Sequence, residues 1–324
     1  MTRIQQVLFE LDGQYLGHPY FVTGNALFNA VARRVDGETR RSLQVSHGVF
    51  LPGEYGAYPA AASQDGYAGK LGQSLPAVEA YEDLFVFRDA AQRWLLDSRP
   101  RDAHNALDLQ RHGGRVAFDD TCWFGRPAGQ RNQRRSVSWY VHCYLHSESR
   151  GDDVVPVDAD VLDGLQVGGA RNYGFGDLSV VATQVVDVDS LDYSRLEAAQ
   201  SSGEACRIEL VSPYVLDSEH PSGDPQSVPW WWRVDTAETR SGLSTGELRR
   251  RETRLADGAE SYVVDTVDHG QIVEYAGDDP VETARNGVLR VGTHSRFGFG
   301  EFRVRPATED RVPERDATHA GGDV

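Results

Sequence analysis

The residues of this 324-residue chain that are best suited to bind a phosphate lie in two glycine-rich segments. The first is VGGARNYGFGDLSVV, residues 167–181, and the second is VGTHSRFGFGEFRVR, residues 291–305. Aligned without gaps, they share a Val-Gly pair, a Gly-Phe-Gly triplet and a later valine. A repeat of this kind indicates that the chain contains two related units.

Glycine-rich loops suit anion binding because their backbone N–H groups can face outward and approach a ligand closely. Each loop also holds an arginine, Arg171 or Arg296, whose guanidinium can bind a phosphate through paired hydrogen bonds. The alternative is that both loops are tight hairpins with Phe175 and Phe299 buried. The predicted binding set comprises Gly168, Gly169, Arg171, Gly174, Gly176, Gly292, His294, Arg296, Gly298 and Gly300.

Other common sites are not indicated by the sequence. The glycine spacing is not that of a dinucleotide-binding loop, and a strand rather than a helix follows each loop. The segment HCYLH places His142 and His146 on one face of a strand without a nearby acid. The three cysteines, Cys122, Cys143 and Cys206, are too widely spaced for a disulfide framework or a zinc site. We therefore predict neither a metal nor a cofactor.

The charge composition is that of an acidic protein. Asp and Glu number 49 against 33 Lys and Arg, for a formal net charge of −16, and Lys70 is the only lysine. This composition resembles that of proteins from salt-loving archaea, whose acidic surfaces are stable where salt screens their repulsion. It does not exclude a nucleic-acid partner, because non-specific phosphate attraction is weak at molar salt in any case.

The elements that position the two loops can be outlined from hydrophobic periodicity. IQQVLFELDG predicts a strand, and GNALFNAVARRV predicts an amphipathic helix. SWYVHCYLHS predicts a strand with Trp139, Val141, Cys143 and Leu145 on one face. In the second unit CRIELVSPYVL and EFRVRP predict strands, and the arginine-rich STGELRRRETRL predicts a short helix or loop. Each unit thus ends in a helix, a glycine turn and a strand.

A helix followed by GGARNYGFGDLSV or GTHSRFGFGEFRV resembles the glycine-rich signature of the RAMP superfamily of CRISPR-associated RNA-binding proteins. CRIELVSPYVL and VDHGQIVEY also look like the first strand and middle hairpin of such a domain. The resemblance implies an α+β chain of two tandem ferredoxin-like, RRM-like domains. The first would span 1–190 with a loop-rich insertion around 50–135, the second 205–306, and residues 307–324 would form a disordered tail.

The resemblance implies that the chain binds CRISPR RNA together with other effector-complex subunits. As the alternative, it would be a metal-independent endoribonuclease that processes precursor CRISPR RNA. Such enzymes commonly carry a catalytic histidine after the first helix, which implies His47 in SHGVF and, second, His18 in GHPYF, with Tyr20 and Lys70 assisting. An unrelated acidic metabolic enzyme is the third hypothesis.

Further contacts to RNA are predicted outside the two loops. The acid-free window GRPAGQRNQRR places Arg131, Arg134 and Arg135 in an RNA-contact loop or, alternatively, a solvated loop. Trp230 to Trp232 offer stacking faces for bases, although three adjacent residues cannot all face one way on a strand. No run of 18 apolar residues and no secretion signal occur, so the expected location is cytoplasmic, without a membrane partner.

Overall fold

The computed structural model describes residues 2–13, 15–17, 21–52, 75–88, 116–118, 121–122, 135–136, 139–148, 154–169, 171–239, 246–257 and 260–308. In these ranges the fold is α+β, with mostly antiparallel sheets and few helices. Most of the predicted insertion and residues 309–324 of the predicted tail lie outside them. The helices are α1 Gly24–Val31, α2 Gly37–Ser42, α3 Ala159–Leu162, α4 Ser194–Ser202 and α5 Pro280–Val288.

The first half of the chain builds the largest sheet. The strands of this half of the chain are β1 Arg3–Asp12, β2 Tyr15–Gly17, β3 Phe21–Val22, β4 Leu43–Val45, β5 Gly48–Pro52, β6 Val116–Phe118, β7 Thr121–Cys122, β8 Arg135–Ser136, β9 Trp139–Ser147, β10 Leu165–Gln166 and β11 Asp177–Asp187. The sheet order is β10-β11-β1-β9-β5-β3, and β4 also pairs with β9. Two small ladders, β2 with β6 and β7 with β8, lie apart from it.

The second half builds two smaller sheets. Its strands are β12 Cys206–Leu210, β13 Tyr214–Ser218, β14 Trp232–Thr239, β15 Arg250–Asp257, β16 Glu260–Val267, β17 Gln271–Tyr275 and β18 Phe302–Pro306. One sheet has the order β14-β17-β12-β18 and the other β13-β16-β15. The arginine-rich segment predicted as a helix or loop is mostly β15, because it pairs with β16 from Arg250 to Asp257.

Strand β9 shows why the large sheet is buried on both sides. The predicted apolar face, formed by Trp139 and alternate residues, is buried. His142, Tyr144 and His146 on the opposite face are buried as well. The Tyr144 hydroxyl donates a hydrogen bond to the Leu84 carbonyl, so the segment that contains Leu84 covers this second face. The sheet therefore lies between α1 on one side and residues 81–88 on the other.

Side-chain caps fix the start of two short helices, α5 before the second glycine loop and α1 before His47. Helix α5 begins at Pro280 with the Asp279 carboxylate accepting a hydrogen bond from the Glu282 N–H, which is a favourable start for a helix. Helix α1 begins in the same way, since the Thr23 hydroxyl accepts from the Ala26 N–H. These caps fix where the helices start and hence where the following loops lie.

Two hydrophobic clusters form the core, and each contains residues from both halves of the chain. The cluster around α1 and the large sheet includes Val215, Phe297 and Phe299 from the second half. The cluster around the second half includes Ile4 and Tyr144 from the first. The predicted domain boundaries are not tested by this packing and stay a prediction. Among the described helices, none is long and apolar enough to cross a membrane.

Candidate functional site

The described residues of the two glycine loops adopt similar backbone conformations. Both contain a single three-residue 3-10 turn, Arg171–Tyr173 in the first and Ser295–Phe297 in the second. The same pairs of positions close both loops: Gly174 N donates to Arg171 O at 3.0 Å, Gly298 N to Ser295 O at 3.0 Å, Val167 N to Gly176 O at 3.0 Å, and Val291 N to Gly300 O at 3.1 Å. The sequence repeat is thus also a structural repeat.

The last glycine of each loop is required by its surroundings. Gly176 and Gly300 have φ angles of 75° and 80°, in the left-handed region that side chains disfavour. A Cβ on Gly176 would lie 1.9 Å from the Val167 carbonyl oxygen, and one on Gly300 would lie 2.0 Å from that of Val291. Any side chain at either position would therefore break the bond that closes its loop.

The first glycine loop is open to solvent. Arg171, Asn172 and Tyr173 are exposed, and the Tyr173 ring has 77% of its surface accessible. The loop rests on β2, where the Gly169 N–H donates to the Leu16 carbonyl at 2.7 Å. Arg171 forms no ion pair with any residue that the structure describes. A guanidinium and an aromatic ring are therefore presented together beside a glycine turn.

The second glycine loop is packed against helix α1. Phe297 and the three residues that follow it are buried. The Phe297 ring contacts the Phe28 ring edge-on, with the ring centroids 5.1 Å apart. A Cβ on Gly24, the first residue of α1, would lie 2.3 Å from the Phe297 carbonyl oxygen. Tyr173 occupies the position equivalent to Phe297, so the same loop position is exposed in one half and buried in the other.

Arg296 makes its contacts with other parts of the chain. Its Nη2 donates to the carbonyls of Arg40 and Arg41 in the last turn of α2, at 2.9 and 3.0 Å. Its guanidinium also lies 4.8 Å from the centroid of the Phe28 ring. Cations are favourable at a helix C-terminus, where carbonyl groups lack partners. Arg296 therefore joins α2 to the second loop. Arg171, which is exposed, is the arginine that is better placed for the predicted phosphate contact.

His47, the predicted catalytic histidine, lies between β4 and β5 with 4% of its surface exposed. Its Nδ1 accepts a hydrogen bond of 2.8 Å from the Gly24 N–H, and its ring stacks on Phe21 at 4.5 Å. A Cβ on Gly298 would lie 2.4 Å from the same nitrogen. With Nδ1 accepting, the neutral ring carries its proton on Nε2. In this state His47 can donate a hydrogen bond through Nε2, but it can act neither as a general base nor, being neutral, as a general acid.

A pair of histidines lies at the same loop. The rings of His220 and His294 meet edge-to-face with centroids 5.3 Å apart. The Nε2 of His294 is 2.8 Å from the Ser218 hydroxyl, and that of His220 is 3.4 Å from an Asp257 carboxylate oxygen. Burial, followed by the nearby His220, lowers the pKa of His294 to about 4. The sequence singled out His294 but gave no signal for His220, since only folding brings them together.

A buried ion pair anchors the end of the second loop. Glu301 lies 2.9 Å from Arg88, and both side chains are 1% exposed. Arg88 also donates to the Ser46 hydroxyl and to the His47 carbonyl, each at 2.7 Å. Burial raises the pKa of the Glu301 carboxyl, while Arg88 opposes that rise. The equivalent residue of the first loop, Asp177, accepts a bond from exposed Gln166.

Arg290 extends this buried network toward the large sheet. It donates through Nε to the Ser295 carbonyl and lies 2.9 Å from the Nδ1 of His146. Burial lowers the pKa of Arg290 to about 10. Burial also holds the pKa of His142 and of His146 well below the ordinary value. In the described part of the chain, no three His, Cys, Asp or Glu side chains are placed to hold a metal ion.

Several predicted residues lie outside the ranges that the structure describes. These are His18, Tyr20, Lys70, Arg131 and Arg134, and only the backbone of Arg135, in β8, is described.

The three tryptophans are described, and they differ in burial. Trp230 is 77% exposed, Trp231 is half-buried and Trp232 is buried, in keeping with the expectation that they cannot share a face.

Comparison with known proteins gives little further information. No family model matches the sequence, and no curated protein matches it. A solved structure described as "Characterization of a Cas6-related gene from Pyrococcus furiosus" is similar, with a TM-score of 0.38 and 9% identity over 94% of this chain and 98% of that chain. The similarity extends over nearly all of both chains but is too distant to carry an argument about function.

Proposed function

We propose that this chain is a CRISPR RNA-binding protein of the RAMP type that holds RNA within a larger ribonucleoprotein. The observation that carries the proposal is the duplicated glycine loop, built twice with the same two closing hydrogen bonds and with positive φ angles at the same three glycines. An exposed glycine turn beside an arginine suits a sugar-phosphate backbone. Other effector-complex subunits would be its protein partners.

The proposal includes two tandem ferredoxin-like domains, 1–190 and 205–306. Its support is the strand order, which is β11-β1-β9-β5 in the first half and β18-β12-β17-β14 in the second. With four main strands numbered along each half, both orders read fourth, first, third, second, as expected for a βαββαβ unit. The second half departs from this pattern, because β13 stands where the first helix is expected.

Within this function the two loops would have different tasks. The first loop offers Arg171 for a phosphate and Tyr173 for stacking on a base, in a sequence-tolerant mode. The second loop has its arginine and its aromatic ring engaged by α1 and α2. We therefore assign the main RNA contact to the first loop and a role in holding the two halves together to the second.

The direct test is retention of labelled CRISPR repeat RNA on a filter at molar KCl. A charged hydrogen bond contributes about 1.5–3 kcal/mol, so Arg171→Ala should weaken binding about 10- to 150-fold. A stacked base contributes about 1–3 kcal/mol, so Tyr173→Ala should weaken it about 5- to 150-fold. Arg250→Ala, which removes a 70% exposed arginine from β15, is the matched control. Failure of the wild-type chain to bind repeat RNA would reject the function itself.

Metal-independent RNA cleavage is the second candidate function. One observation favours it, namely that His47, His220 and His294 all lie around the second glycine loop. The hydrogen bond that the Nδ1 of His47 accepts argues against its acting as the base, because Nε2 then carries the proton and can only donate a hydrogen bond. Repeat RNA incubated without divalent metal should yield a 2′,3′-cyclic phosphate if the chain is a nuclease. His47→Ala and His294→Asn would then identify the groups involved, and absence of product in the wild type would reject cleavage.

A further inference from the structure

The arginine-rich segment around the start of β15 surrounds one buried carboxylate. This is Asp268, which lies in the turn between β16 and β17 and whose side chain is 4% exposed. A guanidinium nitrogen of Arg249 lies 3.3 Å from its Oδ2, and one of Arg251 lies 3.7 Å from the same oxygen. The Nδ1 of His269 lies 2.9 Å from its Oδ1. We call these four residues the Asp268 cluster.

The Asp268 cluster is positively charged, although the chain has a net charge of −16. Two guanidinium groups face one carboxylate, a difference of +1 before any charge on His269. Burial alone would raise the pKa of Asp268, but the nearby His269 and the two arginines outweigh burial and lower that pKa. The carboxylate is therefore ionised at neutral pH, and the remaining positive charge favours an anion as the ligand.

Both arginines of the cluster retain donors for a ligand. The Arg249 and Arg251 side chains are 66% and 42% exposed. Their distances to Asp268 exceed the roughly 2.7–3.2 Å of an ordinary N–H···O hydrogen bond. The carboxylate therefore orients the two guanidinium groups without saturating their N–H donors. Arg296 differs from them, because its Nη2 already donates to two carbonyls.

Buried polar groups hold the Asp268 cluster in place. Gln271 is 3% exposed, and its side chain accepts a hydrogen bond from the Arg249 N–H at 2.6 Å and donates one to the Arg249 carbonyl at 2.8 Å. The His269 N–H donates to the Asp268 Oδ1 at 3.0 Å. The backbone that carries these groups is thus fixed before a ligand arrives, which lowers the entropic cost of binding.

Aromatic rings connect the Asp268 cluster to the second glycine loop. The His269 ring meets the Phe21 ring edge-on, with the centroids 5.6 Å apart. Phe21 stacks on His47, whose ring contacts that of Phe299 in the loop with the centroids 5.3 Å apart. Because Phe21 and His47 belong to the first half of the chain, the cluster lies where the two halves meet.

We propose that the Asp268 cluster binds a phosphate group, and that in bound RNA this is a phosphate of the sugar-phosphate backbone. One arginine is enough to pair with the two oxygens of a carboxylate, whereas a tetrahedral phosphate offers oxygens to both guanidinium groups at once. That the phosphate belongs to RNA rests on the proposed function, whereas the phosphate site itself does not. The site gives the second half an RNA contact that its own glycine loop does not provide.

Filter retention of labelled repeat RNA at several KCl concentrations tests the RNA contact on the full-length chain. The double variant Arg249→Gln, Arg251→Gln should weaken binding about tenfold or more, because charge-assisted hydrogen bonds to the phosphate are lost. The slope of log affinity against log salt concentration should also fall by about 0.7, the contribution of one phosphate contact on a single strand. A purely structural role of the two arginines would leave that slope unchanged.

The double variant Arg250→Gln, Arg254→Gln is the matched control. It removes the same charge from the same segment, at two exposed positions on the opposite face of β15. Salt screens charges that do not touch the ligand, so this control should leave the affinity and the slope nearly unchanged. Thermal melts in the same buffers check that both double variants are folded. A loss of affinity in the cluster variant no larger than in the control, with Arg171→Ala still weakening binding, would leave the function standing and overturn the inference.

Inorganic pyrophosphate, added without RNA at matched ionic strength, tests the phosphate site independently of the proposed function. It should raise the melting temperature of the wild type and of the control by binding their folded state, and should raise that of Arg249→Gln, Arg251→Gln less. If the wild type binds no repeat RNA, the proposed function fails and this measurement decides alone. A shift that depends on an intact cluster would then assign the site to a free phosphate compound, and equal shifts in all three chains would overturn the inference.

Discussion

The buried ion pair between Arg88 and Glu301 makes a quantitative prediction about what holds the second glycine loop in place. Both side chains are 1% exposed and lie 2.9 Å apart. Arg88→Met keeps most of the side-chain stem but leaves the Glu301 carboxylate buried without its partner. Breaking a buried pair in this way costs about 3–5 kcal/mol. We therefore expect the free energy of unfolding to fall by that amount near neutral pH.

The pH dependence adds a signature that simple loss of packing would not produce. Burial raises the pKa of Glu301, and Arg88 counteracts it, so Arg88→Met should raise that pKa further. An acid whose pKa is raised by folding stabilises the folded state below its unfolded pKa, about 4.3, and loses that contribution as the pH rises. The difference between wild type and Arg88→Met should therefore be largest near pH 7 and shrink as the pH falls towards 4.

Urea unfolding followed by tryptophan fluorescence at constant KCl measures this difference. Arg250→Met is the matched control, because Arg250 is 70% exposed and 3.7 Å from Asp265. Such a surface pair contributes about 0–1 kcal/mol. Adding Glu301→Gln to Arg88→Met should recover part of the loss, since no charge then stays buried. A loss below about 1 kcal/mol for Arg88→Met, or one that does not vary with pH, would refute the reasoning.

Three further predictions concern the loops and the surface. Arg296→Ala should lower the free energy of unfolding by about 1–3 kcal/mol, because Arg40 and Phe28 lose their contacts with the guanidinium. Arg171→Ala, at an exposed site, should change it by no more than about 0.5 kcal/mol. Thermal melts of the two variants measure this difference. Burial lowers the pKa of His294 to about 4, so its contribution to stability is complete above about pH 6.5 and is lost as the pH falls towards 4. His294→Asn, which keeps a residue that tolerates the φ of 61°, should flatten the melting temperature over that window, and an unchanged slope would contradict the assignment. Lowering KCl from molar to about 0.1 M should lower the melting temperature, because a chain of net charge −16 then repels itself more strongly, and a flat or rising melting temperature would contradict the halophilic interpretation.

The features that the sequence predicted well are those set by local chemistry. The repeated glycines were visible because Gly176 and Gly300 need a backbone conformation that few other residues adopt. The apolar face of β9 was visible because alternation along a strand is a local pattern. The α+β class followed from the same kind of pattern. Each of these depends on residues that are neighbours in the chain.

The features that the sequence missed are set by contacts between distant residues. Arg171 and Arg296 looked alike, but Arg296 is fixed by carbonyls some 255 residues away along the chain, at Arg40 and Arg41. His47 was chosen for its place after a helix, yet its burial against Phe21 depends on how the loop folds back. The strand β15 was missed because pairing with β16 overrides the weak local preference of an arginine-rich segment.

The sharing of both hydrophobic clusters between the halves has a consequence for how the protein is made. Ile4 and Tyr144 belong to a cluster whose other members include Ile208 and Val304. On a ribosome that adds about 5–20 residues per second, the last 100 residues of that span need about 5–20 s. Through that interval Ile4 and Tyr144 have only first-half neighbours, such as Tyr81 and Leu84, and lack the second-half members of their cluster. The first half should therefore complete its core only after β18 has been synthesised.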